Sequence, residues 1–399
     1  MNKYYDSVIA FVQAHREEML EEWETLVNME DHFSDPAATR KVRDWLQGQM
    51  EREGFSCQTF DDLAPGYTGP LVGILGKDRP GKPVIFSGHL DTVQPMGSFG
   101  EKPFFIEDGK AYGPGVLDMK GGIIIALYVV KALNSLGYRT RPIKFVFAAE
   151  EESSHTEEAN RVTPFFTEQA GGALCAFNME TGPITNCLCT GRKAKYEWFV
   201  TVHGVGGHAG NDFARGRNAL HEAAIKIAAL SKLSDPEKGT TVTASVCHAG
   251  TAEVICSIPE VCEFIVETRF TCTEEQERIL REMTAILTET YIEGTSTEFR
   301  RNTPQFLAFH PTGPILEFLD FLNSVAKENG FPEFGSVQLG GASDAGAIAA
   351  SGIPTLCSCG VIGQFNHNPK EYAVVESLFD RTKLYTLAVL SLPSADAFV

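Results

Sequence analysis

The segment PVIFSGHLDTV at residues 83–93 indicates the class of fold. Its first five residues, 83–87, form an apolar run typical of a strand that is buried on both faces of a sheet. The run is followed closely by His89 and Asp91. Because ligand sites in open α/β sheets lie beyond the carboxyl ends of the strands, we expect these two side chains at a functional site.

The sequence around this segment repeats the same arrangement. Apolar runs typical of buried strands are also found at 143–149 and 174–179, and a helical pattern covers 122–136. The two further strands lead into Glu150-Glu151-Glu152 and into Glu180, respectively. Alternating strands and helices indicate an α/β domain with a mixed sheet, and the polar residues at its strand ends indicate one shared site.

The pattern changes between residues 193 and 302. A half-exposed strand at 196–202 is followed by a helix, two strands, a helix and a last strand, which is the β-α-β-β-α-β order of a ferredoxin-like domain. The α/β pattern then returns. We therefore predict a catalytic domain in two parts, 1–192 and 303–399, with a smaller α+β domain inserted at 193–302.

The composition restricts the possible partners. The chain has 399 residues, with 34 Lys and Arg against 52 Asp and Glu, for a formal net charge of -18. Such a surface repels phosphate backbones and anionic lipids, so we expect no nucleic-acid and no membrane partner. The ten cysteines lack the spacing of zinc fingers or disulfide frameworks, and the N-terminus lacks the pattern of a signal peptide. We expect buried free thiols and a cytoplasmic protein.

Several motifs combine histidines with carboxylates, which is the ligand chemistry of a hydrolytic dinuclear metal site. They are SGHLDTV (87–93), GPGVLDMKGG (113–122), AEEES (149–153), METG (179–182) and HNPKEY (367–372). Three further motifs accompany them, GGHAG (206–210), GRNAL (216–220) and GGASD (340–344). Together they resemble the zinc-dependent exopeptidases and deacylases, a family that includes glutamate carboxypeptidase, acetylornithine deacetylase, succinyl-diaminopimelate desuccinylase and carnosinase-like dipeptidases. The resemblance extends from about residue 40 to residue 392.

The resemblance implies two Zn²⁺ per subunit, with Co²⁺ or Mn²⁺ as alternatives. The metal ligands that it implies are His89, Asp118, Glu152, Glu180 and His367. His89 and Glu152 would ligate one ion, Glu180 and His367 would ligate the other, and Asp118 would bridge both.

The resemblance also implies three features around these ligands. Asp91 would orient the imidazole of His89, since such a partner fixes the ring tautomer. Glu151 would be the general base. The run of three glutamates leaves a one-residue ambiguity, and alignment of its first member with the family's usual acidic residue makes Glu151 the base and Glu152 the ligand. A cis peptide bond is expected between Asp118 and Met119.

Four further residues have a role by resemblance, each with a simpler alternative. His208 would reach the partner's active site in a homodimer, or it is a loop histidine in a glycine-rich turn. Arg269 would bind a substrate carboxylate bidentately, or it forms a surface ion pair. Gly341 and Ser343 would form a carboxylate-binding nest, or they form a strand-to-helix turn with Ser343 as the N-cap. Cys256 stands where the family usually has Asn.

The implied function is hydrolysis of an amide or peptide bond next to a C-terminal amino acid with a free carboxylate, as in glutamate carboxypeptidase. The substrate would be a small molecule, either a peptide or an N-acyl amino acid. An N-acyl-amino-acid deacylase or a dipeptidase is the alternative within the family. A non-catalytic binding relative would be expected to lack a ligand or the base, and this chain retains all of them.

Overall fold

The computed structural model of the protein describes residues 2–63, 65–153, 159–302, 306–393 and 398. The chain forms two compact units. The larger unit comprises residues 1–191, 311–339 and 343–399, and the smaller unit comprises residues 192–310 and 340–342. The predicted inserted domain, 193–302, lies within the main segment of the smaller unit, which extends to residue 310.

Helices and strands are both distributed along the chain. The helices are α1 (Tyr5–Ala14), α2 (Arg16–Asn28), α3 (Pro36–Arg52), α4 (Gly121–Ser135), α5 (Ala159–Ala170), α6 (Ala219–Ser231), α7 (Thr273–Thr288), α8 (Gly313–Glu328), α9 (Ala345–Ala350) and α10 (Val375–Ser391). The strands are β1 (Ser56–Thr59), β2 (Leu71–Leu75), β3 (Val84–His89), β4 (Phe105–Glu107), β5 (Lys110–Tyr112), β6 (Ile143–Ala148), β7 (Cys175–Asn178), β8 (Gly182–Pro183), β9 (Cys187–Arg192), β10 (Ala194–His203), β11 (Gly207–His208), β12 (Thr241–Ala249), β13 (Ser257–Ile258), β14 (Val261–Phe270), β15 (Ser296–Arg301), β16 (Gly335–Leu339), β17 (Thr355–Leu356), β18 (Ile362–Gln364) and β19 (Tyr372–Val374).

The larger unit is built on a six-stranded sheet with the order β1-β2-β6-β3-β7-β17. Strands β6, β3, β7 and β17 run parallel to one another, whereas β2 pairs antiparallel with both β1 and β6. The sheet is therefore mixed, as the sequence predicted. Its parallel strands end at the same edge, so the residues that follow β6, β3 and β7 are neighbours in space.

Helices cover both faces of this sheet, because its central strands are apolar on both sides. On β3, Ile85 packs on one face of the sheet in a hydrophobic cluster with residues of α5 and α9. On the other face, the ring of Phe86 stacks on that of Phe177. Phe177 in turn contacts Tyr385 of α10, and α10 packs against the almost fully buried helix α4. The core thus fixes the position of α4, which begins with the last two glycines of the GPGVLDMKGG motif.

The smaller unit has one four-stranded antiparallel sheet with the order β12-β14-β10-β15. Its elements follow in the order β10-α6-β12-β14-α7-β15, which is the ferredoxin-like arrangement predicted from the sequence. Alternate residues of β10 are buried, from Tyr196 to Val202, and they pack with side chains of α6 and α7 in one core. One sheet face therefore carries the whole core of this unit.

All ten cysteines are free, as predicted. Their burial differs from the expectation, because Cys247 and Cys256 are exposed while five others are buried. Among the described residues, no helix is both long enough and apolar enough to span a membrane.

Candidate metal centre

The candidate ligands of the larger unit converge because of the strand order. His89 is the last residue of β3, Glu151 and Glu152 follow β6, and Glu180 follows β7. Since β3 lies between β6 and β7, these side chains meet at one edge of the sheet. Asp118 precedes α4, and the structure brings its side chain to the same place.

One carboxylate lies between two imidazoles at the centre of this cluster. Asp118 Oδ1 is 3.1 Å from Nε2 of His89, and Asp118 Oδ2 is 3.3 Å from Nε2 of His367. Asp118 is 6 % exposed, whereas His367 lies on the more open side. A carboxylate that offers one oxygen to each side has the geometry expected of a bridging ligand.

Glu152 and Glu180 each contact the imidazole that was not the expected one. Glu152 Oε2 is 3.0 Å from Nε2 of His367, and Glu180 Oε1 is 3.7 Å from Nε2 of His89. The expectation placed Glu152 with His89 and Glu180 with His367. Ligand atoms of His89, Asp118 and Glu152 also lie within 4.8 Å of one another. The shortest contacts nevertheless favour the pairs His89–Glu180 and His367–Glu152.

Asp91 holds two parts of the site at once. Its Oδ1 accepts a hydrogen bond from the backbone N–H of Glu151 at 3.0 Å, and its Oδ2 accepts one from that of Glu152 at 2.9 Å. The Nδ1 of His89 lies 3.0 Å from the carbonyl oxygen of Asp91 and 3.5 Å from its Oδ1. Asp91 is fully buried, and it therefore positions both the imidazole of His89, as expected, and the turn that carries Glu151.

A second buried carboxylate, Glu371, holds the backbone of the central aspartate. Its Oε1 accepts hydrogen bonds from the N–H groups of Leu117 at 2.8 Å and Asp118 at 3.0 Å, and Gln94 donates to its Oε2. Burial and the charge of Asp118 raise the pKa of Glu371 to about 8. Sequence reasoning assigned no role to Glu371, although it lies in the HNPKEY motif. The peptide bond between Asp118 and Met119 is cis, as predicted.

The electrostatics of the cluster fit divalent cations. Burial raises the pKa of Glu151 well above its usual range, and burial with the nearby charge of Asp118 raises that of Glu152 to about 7. Burial opposes the charge of Asp118 too, but hydrogen bonds from His367 and His89 hold its pKa well below the usual range. The hydrogen bonds to Asp118 and to Glu152 raise the pKa of His367 to about 11.

Carboxylates outnumber imidazoles in this buried cluster, and Glu152 Oε1 has no hydrogen-bond partner. Buried carboxylates remain charged only when they are paired with cations or hydrogen-bond donors. Mixed imidazole and carboxylate donors are suitable ligands for Zn²⁺ and for related divalent ions. The residues present therefore fit a dinuclear metal centre.

Ser343 lies beside this cluster. Its Oγ accepts a hydrogen bond from the N–H of Ala345 at 3.2 Å, at the start of α9. The same hydroxyl lies 3.5 Å from Oε1 of Glu180 and 3.5 Å from Oδ1 of Asn178. The structure thus places Ser343 in contact with a candidate metal ligand. The N-cap of α9 is Asp344, so Ser343 lies one residue before the cap position expected for it, although its hydroxyl accepts the bond from Ala345.

The predicted carboxylate clamp of the smaller unit has a partner within that unit. Arg269 donates from Nε and Nη2 to the two carboxylate oxygens of Glu267, at 2.7 and 3.1 Å, and from Nη1 to the carbonyl of Gly340 at 2.8 Å. The carbonyl of Gly341 accepts a bond from Arg192 at 3.4 Å. In this structure the arginine forms the ion pair that was its alternative role, and a substrate carboxylate would have to replace Glu267.

His208 is exposed in the smaller unit, and its tautomer is fixed locally. The backbone N–H groups of Gly210 and Asn211 both lie 3.2 Å from its Nδ1. Because Nδ1 accepts these bonds, the neutral ring carries its proton on Nε2. A glycine-rich turn therefore presents Nε2–H as a hydrogen-bond donor.

Comparisons with known proteins identify relatives of this chain. The chain is 26% identical to carboxypeptidase G2 of Pseudomonas sp. (strain RS-16) over 371 residues, which cover 92% of this chain and 87% of the relative. It is 28% identical to succinyl-diaminopimelate desuccinylase of Xanthomonas oryzae pv. oryzae (strain PXO99A), covering 85% of this chain and 90% of the relative. The YXEP protein of Bacillus subtilis, described as a dinuclear metal binding peptidase of family M20, has the same fold, with a TM-score of 0.66 and 16% identity over 96% of this chain and 100% of that one.

A family-wide comparison covers most of the chain. The sequence model of peptidase family M20/M25/M40 matches residues 85–391, a range that contains all five candidate metal ligands. The chain therefore belongs to peptidase family M20/M25/M40 and is a hydrolase of peptide or amide bonds.

Proposed function

We propose that this protein is a dinuclear zinc hydrolase that cleaves the bond next to a C-terminal amino acid with a free carboxylate. The observation that carries the proposal is the central carboxylate of Asp118, which offers one oxygen to each of two imidazoles beside the buried Glu151. Similarity to carboxypeptidase G2 supports the carboxypeptidase activity.

The contacts support one assignment of ligands. His89 and Glu180 would hold one ion, His367 and Glu152 would hold the other, and Asp118 would contribute one oxygen to each. When bound, the two ions polarise the substrate carbonyl and lower the pKa of water, which is the chemistry that such centres supply.

Glu151 is proposed as the proton carrier. It lies within the cluster but, unlike Glu152, it has no imidazole within ion-pair distance among the described residues, and Asp91 fixes its backbone. A carboxylate held in this way takes a proton from the attacking water and delivers it to the departing amine. The neighbouring Glu152 is committed to His367 and is therefore the ligand.

Arg269, Gly341 and His208 are proposed to act on the substrate. The substrate carboxylate replaces Glu267 as the partner of Arg269, because each carboxylate offers two oxygens to the same edge of the guanidinium. Gly341 contributes to a nest of backbone N–H groups that binds the same substrate carboxylate. The Nε2–H of His208 stabilises the developing oxyanion from the partner subunit of a homodimer. Strand β12 lies at the edge of its sheet and has exposed side chains, and an edge strand can pair with a strand of another subunit.

An N-acyl-amino-acid deacylase is the second candidate, and similarity to a desuccinylase favours it. Both activities use the same ligands and base. They differ in the group on the acyl side of the bond.

A substrate panel with the zinc-loaded protein tests the proposal. Release of the C-terminal amino acid is measured with N-acyl glutamate, N-acyl aspartate, dipeptides and their C-terminal amides as controls. We expect turnover of free acids and little turnover of amides. Hydrolysis of succinyl amines in preference to all of these would support the deacylase instead, and no turnover with any metal would contradict both.

Two matched variants test the roles of the adjacent glutamates. Glu151→Gln should retain both metals and lose roughly 10²–10⁴-fold in kcat, the usual contribution of a general base. Glu152→Gln should lower the bound metal toward one equivalent, as measured by elemental analysis. Loss of metal in the first variant and retention in the second would show that the two roles are reversed.

A further inference from the structure

The backbone N–H of His89 lies beyond the pairing of β3 with β7. The next residue, Leu90, donates its N–H to the carbonyl oxygen of Ala148 on the β6 side, at 2.9 Å. Since the N–H groups of successive strand residues point in opposite directions, that of His89 faces the β7 side. The register of β3 with β7 extends only to Ser87, two residues earlier. The buried N–H of His89 must therefore find an acceptor outside this pairing.

The acceptor is the thioether of Met119. The N–H of His89 donates to Sδ of Met119 at 3.1 Å, and both residues are 1 % exposed. Sulfur is a weak acceptor, but a buried N–H that loses its acceptor is costly. Met119 directly follows Asp118, whose Oδ1 lies 3.1 Å from the imidazole of His89. The thioether therefore joins the backbones of the same two residues whose side chains meet at the centre of the cluster.

The thioether occupies space that Gly88 leaves open. A Cβ atom at position 88 would overlap with Cε and Sδ of Met119 and would lie 3.4 Å from the ring of Phe147. Glycine at this position therefore permits the close approach of the sulfur to the N–H of the next residue.

The backbone around Met119 is held on both sides. Before it, Glu371 accepts the N–H groups of the two preceding residues, as described above. After it, Nζ of Lys120 lies 2.6 Å from Oδ1 of Asp31, and both of these side chains are fully buried. Because the chain is held at both points, the side chain of Met119 starts from a fixed backbone and its sulfur has a fixed position.

We propose that Met119 is a positioning residue of the metal centre, whose sulfur holds the backbone of His89 in place relative to the carboxylate of Asp118. The inference rests on the proposed dinuclear centre. Met119 does not touch a metal or the substrate and acts through the two ligands. Leucine has nearly the volume of methionine but no acceptor, so Met119→Leu removes the hydrogen bond and largely keeps the apolar packing.

Isotope labelling tests this contact without reference to a substrate. Glycine is labelled with ¹³C at the carbonyl and histidine with ¹⁵N, so only the two Gly–His pairs of the chain, 88–89 and 207–208, give a ¹³C–¹⁵N correlation. The signal that disappears in His208→Ala identifies the other one as that of His89. Its exchange with deuterium is followed at saturating zinc, and competition with a chelator measures the zinc affinity.

Met119→Leu should speed the exchange of the His89 N–H at least about tenfold and weaken zinc binding about 10–100-fold, the usual effect of losing the support of a ligand. Met283→Leu, a change at a fully buried methionine of α7, should alter neither quantity. Exchange at His208 should be the same in all these proteins. An unchanged exchange rate at His89 would overturn the contact, and unchanged zinc affinity would overturn the positioning role.

Gly88→Ala tests the same contact if Met119→Leu does not fold. The added methyl group displaces the thioether, so faster exchange and weaker zinc binding are again expected, with alanine labelled in place of glycine. Gly48→Ala on α3 is the control for zinc affinity, because a Cβ there meets no atom within 4 Å. Parental exchange and zinc affinity in Gly88→Ala would overturn the proposal. Neither measurement involves turnover, so failure of this inference is distinguishable from failure of the substrate panel.

Discussion

Replacement of Asp91 by Asn is the sharpest test of how the site is positioned. Asp91 is fully buried and has two carboxylate oxygens, and each accepts one backbone N–H from the turn at Glu151 and Glu152. The amide of Asn has the same shape, but it offers one oxygen and one NH₂ group. One of the two backbone donors therefore faces another donor in the variant.

The expected loss follows from these two bonds. A buried N–H without an acceptor costs about 1–3 kcal/mol, and the remaining bond loses its charged acceptor, which is worth about 1 kcal/mol. The free energy of unfolding of the metal-free protein should therefore fall by about 2–4 kcal/mol. Because Asp91 also contacts His89, metal affinity should fall about 10–100-fold, the usual effect of losing such a support.

Urea unfolding followed by circular dichroism measures the first quantity, and competition with a chelator measures the second. Asp320→Asn is the matched control, because this aspartate is exposed and its change should stay within about 0.5 kcal/mol. If Asp91→Asn has the stability and the metal affinity of the parent protein, the two hydrogen bonds do not position the site and the reasoning is wrong.

Three further outcomes are expected. Hydrogen bonds from Arg278 and its neighbours hold the pKa of Glu275 at about 2, below the ordinary 4.5. The charged carboxylate of Glu275 therefore stabilises the folded protein fully above pH 4.5, and this stabilisation is lost as the pH falls toward 2. The urea midpoint of Glu275→Gln should lie below that of the parent protein at pH 7, and the difference should be smaller at pH 3. A difference that is the same at both pH values would contradict this. Arg269→Lys should raise KM for free-acid substrates, whereas equal turnover of acids and amides by the parent would exclude the clamp. His208→Ala and Glu151→Gln should each be nearly inactive, and subunit exchange between them should restore about a quarter of parental activity; verified exchange without recovery would exclude a shared site.

Several segments show which features of the structure the sequence patterns predicted. The apolar run at 83–87 predicted β3 (Val84–His89), and the patterns of the smaller unit predicted its order of strands and helices. The resemblance placed the ligands on residues that the structure brings together around Asp118. The predictions of strands and helices succeeded because the alternation of apolar and polar residues follows directly from the geometry of these elements.

The sequence prediction placed Glu152 with His89 and Glu180 with His367, whereas the contacts in the structure favour the opposite pairs. The glutamate run allowed two assignments, and only the fold shows that Glu152 contacts His367. Arg269 is engaged by a residue two positions away on its own strand, and Glu371 supports a backbone segment far from it in sequence.

The sequence by itself therefore determined the class of fold, the insertion of the smaller domain and the set of residues with metal-binding chemistry. Tertiary structure alone decided which carboxylate pairs with which imidazole and which carboxylates hold the backbone. The physical reason is that secondary structure follows from local periodicity, whereas a side-chain contact depends on where distant segments of the chain pack.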